Sequence, residues 1–115
     1  MTEHESDKPW DLIVIGAGSG GLATSKRAAA RGARVAVIEV SRAGGTCVIR
    51  GCIPKKLMVY ASQLGQSREL ALDYGWKDQL GSIDWARLKT FRDNVVSNLE
   101  SMHLRNLGKA GVTFI

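Results

Sequence analysis

Apolar and polar positions change rhythm along this chain, and each change marks an element. Asp11-Leu-Ile-Val-Ile15 is a short β-branched run that stops at a glycine, the pattern of a buried strand. Gly21 to Arg31, rich in alanine and basic residues and stopping at Gly32, predicts a helix with a glycine C-terminal signal. Arg34-Val-Ala-Val-Ile-Glu39 reads as a second buried strand. Strand, helix and strand within about 30 residues make a βαβ unit, whose strands are parallel and whose crossover is right-handed.

The following stretch is punctuated by glycine. Ser41 to Gly51, with Gly44, Gly45 and Gly51, predicts a loop. A helix is expected from around Cys52–Pro54, since proline is tolerated in a first turn, to about Leu72. Asp73 to Gly81 reads as a connector. Asp84 can then cap a long helix with Trp85, Leu88, Phe91, Val95, Leu99, Met102 and Leu107 on one face and Gly108 at its end. Val112 to Ile115 begins a further strand. The fold class expected is α/β: a Rossmann-like βαβ unit with a parallel sheet flanked by helices, incomplete at the C-terminus. Residues 1–9 form a polar tail, and 10–115 form one unit.

Composition narrows the class. Of 115 residues, 44% are hydrophobic and 23% charged, which excludes a disordered or collagen-like chain, and two cysteines exclude a disulfide-dense secreted scaffold. No apolar run approaches the roughly 18 residues that span a bilayer. The acidic N-terminus, with Glu3, Glu5 and Asp7, is the wrong flank for an export signal. A cytoplasmic address and no membrane partner are therefore expected. The net charge of +5 is unevenly placed: between Lys26 and Lys56, eight basic residues meet one acid, Glu39. No aromatic residues interleave with them, so a nucleic-acid partner is not expected. A solvated face and a field that attracts a small anion both fit.

Candidate chemistry begins at Gly16-Ala-Gly18-Ser19-Gly20-Gly21, which matches G-x-G-x-x-G between a predicted strand and a predicted helix. Gly16 allows the tight turn, Gly18 lets a pyrophosphate approach the backbone, and Gly21 lets helix and strand pack closely. The helix N-terminus supplies free N–H groups and a positive partial charge. Glu39, 18 positions after Gly21, can accept hydrogen bonds from a ribose diol. The motif points to an adenine dinucleotide without separating FAD from NAD.

The second motif is Gly44-Gly45-Thr46-Cys47-Val-Ile-Arg-Gly-Cys52-Ile-Pro-Lys55-Lys56. On one straight helix, cysteines five apart are too distant for a disulfide, so a bridge requires a bend, easiest at Gly51. The loop is small, and a bridge there would contribute little as a staple. Three readings stand on spacing alone: a redox pair, two reduced buried thiols, or half of a metal site. No histidine or further cysteine lies near enough in sequence to complete a metal site, and none is expected. Cys52, near a helix N-terminus with Arg50, Lys55 and Lys56 nearby, is placed for thiolate character.

Gly44 to Lys56 resembles the redox-active signature of the flavin disulfide reductases, the glutathione reductase family of class I pyridine nucleotide-disulfide oxidoreductases. The N-terminal glycine motif is similar to that family's FAD site, and the resemblance covers nearly all of Trp10 to Ile115. It implies that Ser19, Gly20, Glu39, Gly45, Thr46, Cys47 and Lys55 lie against FAD. It also implies that Cys52 is the thiol nearest the flavin and Cys47 the thiol that attacks a disulfide substrate, with Lys55 beside the reacting centre. Cys52-Ile-Pro-Lys55-Lys56 is similar to glutathione, trypanothione and large thioredoxin reductases rather than dihydrolipoamide dehydrogenases. The intervening Val-Ile-Arg is similar to bacterial and plant glutathione reductases.

Two positions depart from the family's glutathione sites. Lys26 stands where an arginine often meets a glutathione carboxylate, and His103 where a tyrosine commonly lines the pocket. Ser19, Lys26 and His103 are the candidate substrate residues. For His103, an ordinary helix-surface histidine is the competing reading. The resemblance implies electrons from NADPH, oxidised glutathione or a similar small disulfide as substrate, and a homodimeric parent. The family's proton-donor histidine, NADPH domain and dimerisation domain have no counterpart here. The sequence therefore reads as the N-terminal part of a longer FAD enzyme, and the 115-residue chain alone is expected to show no turnover.

Overall fold

The computed structural model describes residues 8–77 and 81–115, with the side chain of residue 69 excepted. The polar tail and the centre of the connector thus fall largely outside the described residues. Element order is β1 (Leu12–Ile15), α1 (Ser19–Ala29), β2 (Val35–Ile38), α2 (Gly45–Ile49), α3 (Cys52–Asp73), α4 (Trp85–Lys109) and β3 (Thr113–Phe114). The three strands form one parallel sheet in the order β1-β2-β3. Leu12 pairs with Val35 and Ile15 with Ile38, so β1 and β2 end together and deliver Gly16 and Glu39 to one edge of the sheet.

The core lies between the sheet and helices α1 and α4. Ala17, Leu22, Val35, Val37, Ala43, Leu107 and Val112 make one buried cluster, with Leu12, Val14 and Ala28 against it. Fully burying Val35, Val37 or Leu107 removes a side chain from water at about 1.5–3 kcal/mol each. The other face of β1 is open: Ile13 is 51% and Ile15 87% exposed. β1 is therefore not buried on both sides as its apolar run suggested. Its burial alternates, because the packed helices cover only the Leu12 and Val14 side.

Two further boundaries differ from expectation. Residues 45–49 form a helix rather than a loop, and the chain turns only at Arg50–Gly51 before α3. α4 passes through Gly108, and Gly111 at φ +74 terminates it instead. The Gly111 N–H donates to the Gly108 carbonyl and the Val112 N–H to the Leu107 carbonyl, a Schellman closure that requires a left-handed residue. On α4, Val96 and Leu107 are buried and His103 partly buried, whereas Trp85 and Phe91 are more than half exposed.

Beyond the sheet, α3 and α4 run antiparallel as an arm. Pro54 of α3 lies near Val96 and Ser97, and the Arg68 Nη1 reaches the Gly81 carbonyl at 3.1 Å. The chain measures 75 × 24 × 21 Å with a radius of gyration of 21.0 Å. A compact domain of this length has a radius near ~13 Å, so the arm extends well outside the globular core. Among the described residues, no helix is long and apolar enough to cross a membrane.

Candidate nucleotide and disulfide site

The site begins where β1 turns into α1. Gly16 adopts φ +100, and its N–H donates to the Ile38 carbonyl at 2.7 Å. Gly18 is the N-cap of α1, with no side chain capping it and no acid in the first turn. The first N–H groups of a helix have no partner within it, so this end presents donors and positive partial charge to an anion. A Cβ on Gly21 would overlap the Gly16 carbonyl oxygen and stand 3.2 Å from Val14 Cγ1. Only glycine lets α1 sit this close to β1.

Glu39 is the acidic wall. Its Oε2 accepts from the Ala17 N–H at 2.8 Å and its Oε1 from the Ser41 N–H at 2.9 Å. The amides of Ala17, Ser41 and, last, Val40 hold this carboxyl below its ordinary value of 4.5, against an opposing desolvation effect. The same carboxylate therefore braces the glycine turn and presents negative charge beside it.

The disulfide segment is built directly onto that turn. The Gly44 N–H donates to the Ala17 carbonyl at 2.8 Å, and a Cβ on Gly45 would stand 2.7 Å from Gly18 Cα. Two glycine backbones are thus in contact, one from each motif. From Gly45 the short helix α2 carries Thr46 and Cys47, and the chain then bends at Gly51. A Cβ on Gly51 would lie 2.9 Å from the Thr46 carbonyl oxygen. The bend brings Cys47 and Cys52 to a Cα separation of 4.6 Å, and they are joined by a disulfide. Cys52 is exposed and Cys47 partly buried. Lys55 lies exposed in the first turn of α3, its N–H donating to the Gly51 carbonyl at 3.0 Å.

A cavity of about 290 Å³ runs from Glu39 and Ser41 past Arg42 to Gly45, Thr46 and Arg50. It lies against the elements that frame the glycine turn and the disulfide. A second, of about 410 Å³, shares Arg42, Ile49 and Arg50 with the first and reaches Arg92 and Ser97 of α4. The structure brings Gly16, Gly18, Gly21, Glu39, Gly45, Thr46 and the two cysteines into one neighbourhood, with Ser19 and Gly20 exposed on the first turn of α1. Lys26 and His103 lie elsewhere, on α1 and α4, and neither lines these two cavities. His103 is partly buried, with Nδ1 enclosed and unpartnered among the described residues.

Sequence reasoning missed Arg42 and Ala17. Ala17 is fully buried and supplies both an N–H to Glu39 and a carbonyl to Gly44. The x of G-x-G carries no signal for that. Arg42 belonged to the basic window, but its partner Glu100 is 58 positions away in sequence.

A glycine-rich strand-to-helix turn packed against a disulfide on a parallel α/β sheet is an arrangement suited to a disulfide oxidoreductase. Residues 10–114 match the model of the pyridine nucleotide-disulphide oxidoreductase family, and the chain belongs to that family. It is similar to a glutathione reductase of Nostoc sp., 53% identical over 106 residues, covering 92% of this chain and 23% of that protein. A glutathione reductase of Burkholderia cepacia is 48% identical over 103 residues (90% and 23%), and one of Schizosaccharomyces pombe 47% over 110 residues (94% and 24%). The chain spans about a quarter of the length of these curated relatives.

Proposed function

We propose that this chain is the N-terminal part of the FAD domain of an NADPH-driven glutathione-disulfide reductase, cytoplasmic and homodimeric as a whole protein. The observation that carries this reading is the Gly18–Gly45 backbone contact, which fuses a dinucleotide cradle to a disulfide. The residues present fit FAD. A crevice that only glycine leaves open, an uncapped helix N-terminus for the pyrophosphate and a carboxylate for the ribose all lie at one edge of the sheet. When bound, the flavin supplies an electron pair taken from NADPH.

The protein's own residues do the rest. Gly18, Ser19 and Gly20 would hold the pyrophosphate through the first turn of α1, Glu39 would hold the ribose, and Thr46 and Lys55 would lie against the cofactor. Two electrons and one proton taken up by the disulfide break the Cys47–Cys52 bond and leave a thiol and a thiolate. The Cys47 thiolate attacks one sulfur of oxidised glutathione, forming a mixed disulfide, and the first glutathione leaves with a proton. Cys52 then attacks the Cys47 sulfur, the second glutathione leaves with a proton, and the disulfide is restored. Ser19, Lys26 and His103 belong to the substrate side of this proposal.

The test is NADPH oxidation driven by oxidised glutathione in the purified full-length polypeptide, of which this chain is proposed to be the N-terminal part, with its visible absorbance read for flavin. Flavin retention and glutathione-dependent turnover are expected. Turnover with another disulfide but not with glutathione would move the reading to a sister reductase. A protein that takes up no flavin would overturn it.

A further inference from the structure

A nucleotide whose ribose meets Glu39 must put its base somewhere within reach of that carboxylate. The adjoining cavity has no aromatic lining residue. The flat cationic groups along it are the guanidiniums of Arg42 and Arg50, and they differ in one respect. Arg42 is pinned: its Nε and Nη2 donate to Glu100 Oε2 at 2.8 and 2.6 Å, and Nη2 also meets Ser97 Oγ at 3.3 Å. The Arg50 side chain makes no hydrogen bond among the described residues. In-plane hydrogen bonds fix the orientation of a guanidinium while leaving both of its faces free to stack. The Arg42 side chain remains 43% exposed, and Glu100, at 19%, is partly shielded from salt.

We propose that Arg42 is the stacking platform for the base of the bound dinucleotide, with Glu100 and Ser97 of α4 as the positioning residues that hold its plane. This inference rests on the FAD-binding reading above. Preorganisation is the physical reason for choosing Arg42 over Arg50, since a side chain already ordered loses little further entropy on binding. Arg42 follows Glu39 by three residues, so ribose and base would be read from one short segment. The tether also makes α4 part of the nucleotide site, although its only contribution is to hold another side chain.

Equilibrium binding of FAD, ADP and FMN to the native apo-polypeptide tests this. ADP carries the base and pyrophosphate without the flavin, whereas FMN carries the flavin without the base. Arg42→Ala is expected to weaken FAD and ADP by a similar factor, about tenfold, and to leave FMN unchanged. Arg42→Lys retains the charge but not the flat face and is expected to lose most of the same affinity. Glu100→Gln leaves Arg42 in place but loosens its tether, and should weaken ADP by about threefold. ADP binding that survives Arg42→Ala, or is fully rescued by Arg42→Lys, would overturn the stacking role. So would a parallel loss of FMN, which would mean a general loosening, or a loss confined to Arg50→Ala. Should Arg42→Ala fail to fold, the Arg42→Lys and Glu100→Gln arms decide. A wild-type protein that binds neither FAD nor ADP overturns the functional reading and this one together, whereas normal wild-type binding with unaffected variants overturns this one alone.

Discussion

The βαβ core and the α3–α4 arm draw on similar stocks of large apolar side chains and treat them in opposite ways. In the core, Val35, Val37 and Leu107 are fully buried. Along the arm, Leu64 is 72%, Tyr74 78% and Trp76 71% exposed. The core needs tight packing because two glycine backbones and a carboxylate must meet at one edge of the sheet. The arm carries the disulfide only at its root, where Cys52 begins α3, and its far end touches none of the site. Substitutions can therefore separate the regions: core changes should disturb the site, and changes at the tip of the arm should not.

The largest effect is expected at the junction of the two. Cys47→Ser removes the bridge and, on the function proposed above, any route for two electrons to a disulfide substrate. Thiol titration should find one free thiol, and disulfide reduction should fall below detection. Retained turnover would break the assignment of the pair. Next comes Gly21→Val, whose Cβ would overlap the Gly16 carbonyl. No rotamer relieves a clash with backbone, so the stability lost should exceed about 3 kcal/mol by denaturant midpoint, and nucleotide affinity should fall with it.

Leu107→Ala follows. It truncates a fully buried side chain between α4 and the sheet, and about 2–5 kcal/mol is expected by the same measurement. Its site effect should be indirect, through a looser α4 and hence a looser Glu100 tether. Glu39→Gln is smaller and shows itself mainly in pH dependence. The folded carboxyl lies below its ordinary 4.5 because the Ala17 and Ser41 amides bond its charged form. A depressed acid contributes stability above its unfolded value, and that contribution is lost as pH falls through the folded value. Wild type should therefore lose more stability than Glu39→Gln on acidification below about pH 4.5. Parallel curves would remove Glu39 from the brace.

How far the sequence carried these features depends on range. The glycine turn, the acid at the end of β2 and the cysteine pair were all legible, because each states its chemistry within a few neighbouring positions. The bend between the cysteines was legible for the same reason, since five positions cannot close a disulfide on one straight helix. The helix at Gly45–Ile49 was not: two adjacent glycines read as loop, while the contact with Gly18 that fixes Gly45 at φ +66 is tertiary. The one-sided burial of β1 was hidden because Leu12 to Ile15 is apolar at every position. Nor could the exposed half of α4 be read from its apolar stripe, which marks a face but not what covers it. Arg42 and Glu100, 58 positions apart, left no local trace at all.

The smallest effect expected is at the tip of the arm, and it is the sharpest test of the comparison. Trp76 and Leu64 are exposed by about seven-tenths, and neither lines the cavities beside Glu39. Replacing either by serine removes little buried surface, so stability should stay within about ±0.5 kcal/mol, and FAD affinity should not move. Solubility should improve instead, because each change removes a large exposed apolar side chain. A loss above about 1 kcal/mol in the native polypeptide would show that other parts of the protein bury the arm and use it. An unchanged midpoint with better solubility would leave the division between a packed site and a projecting arm as it stands.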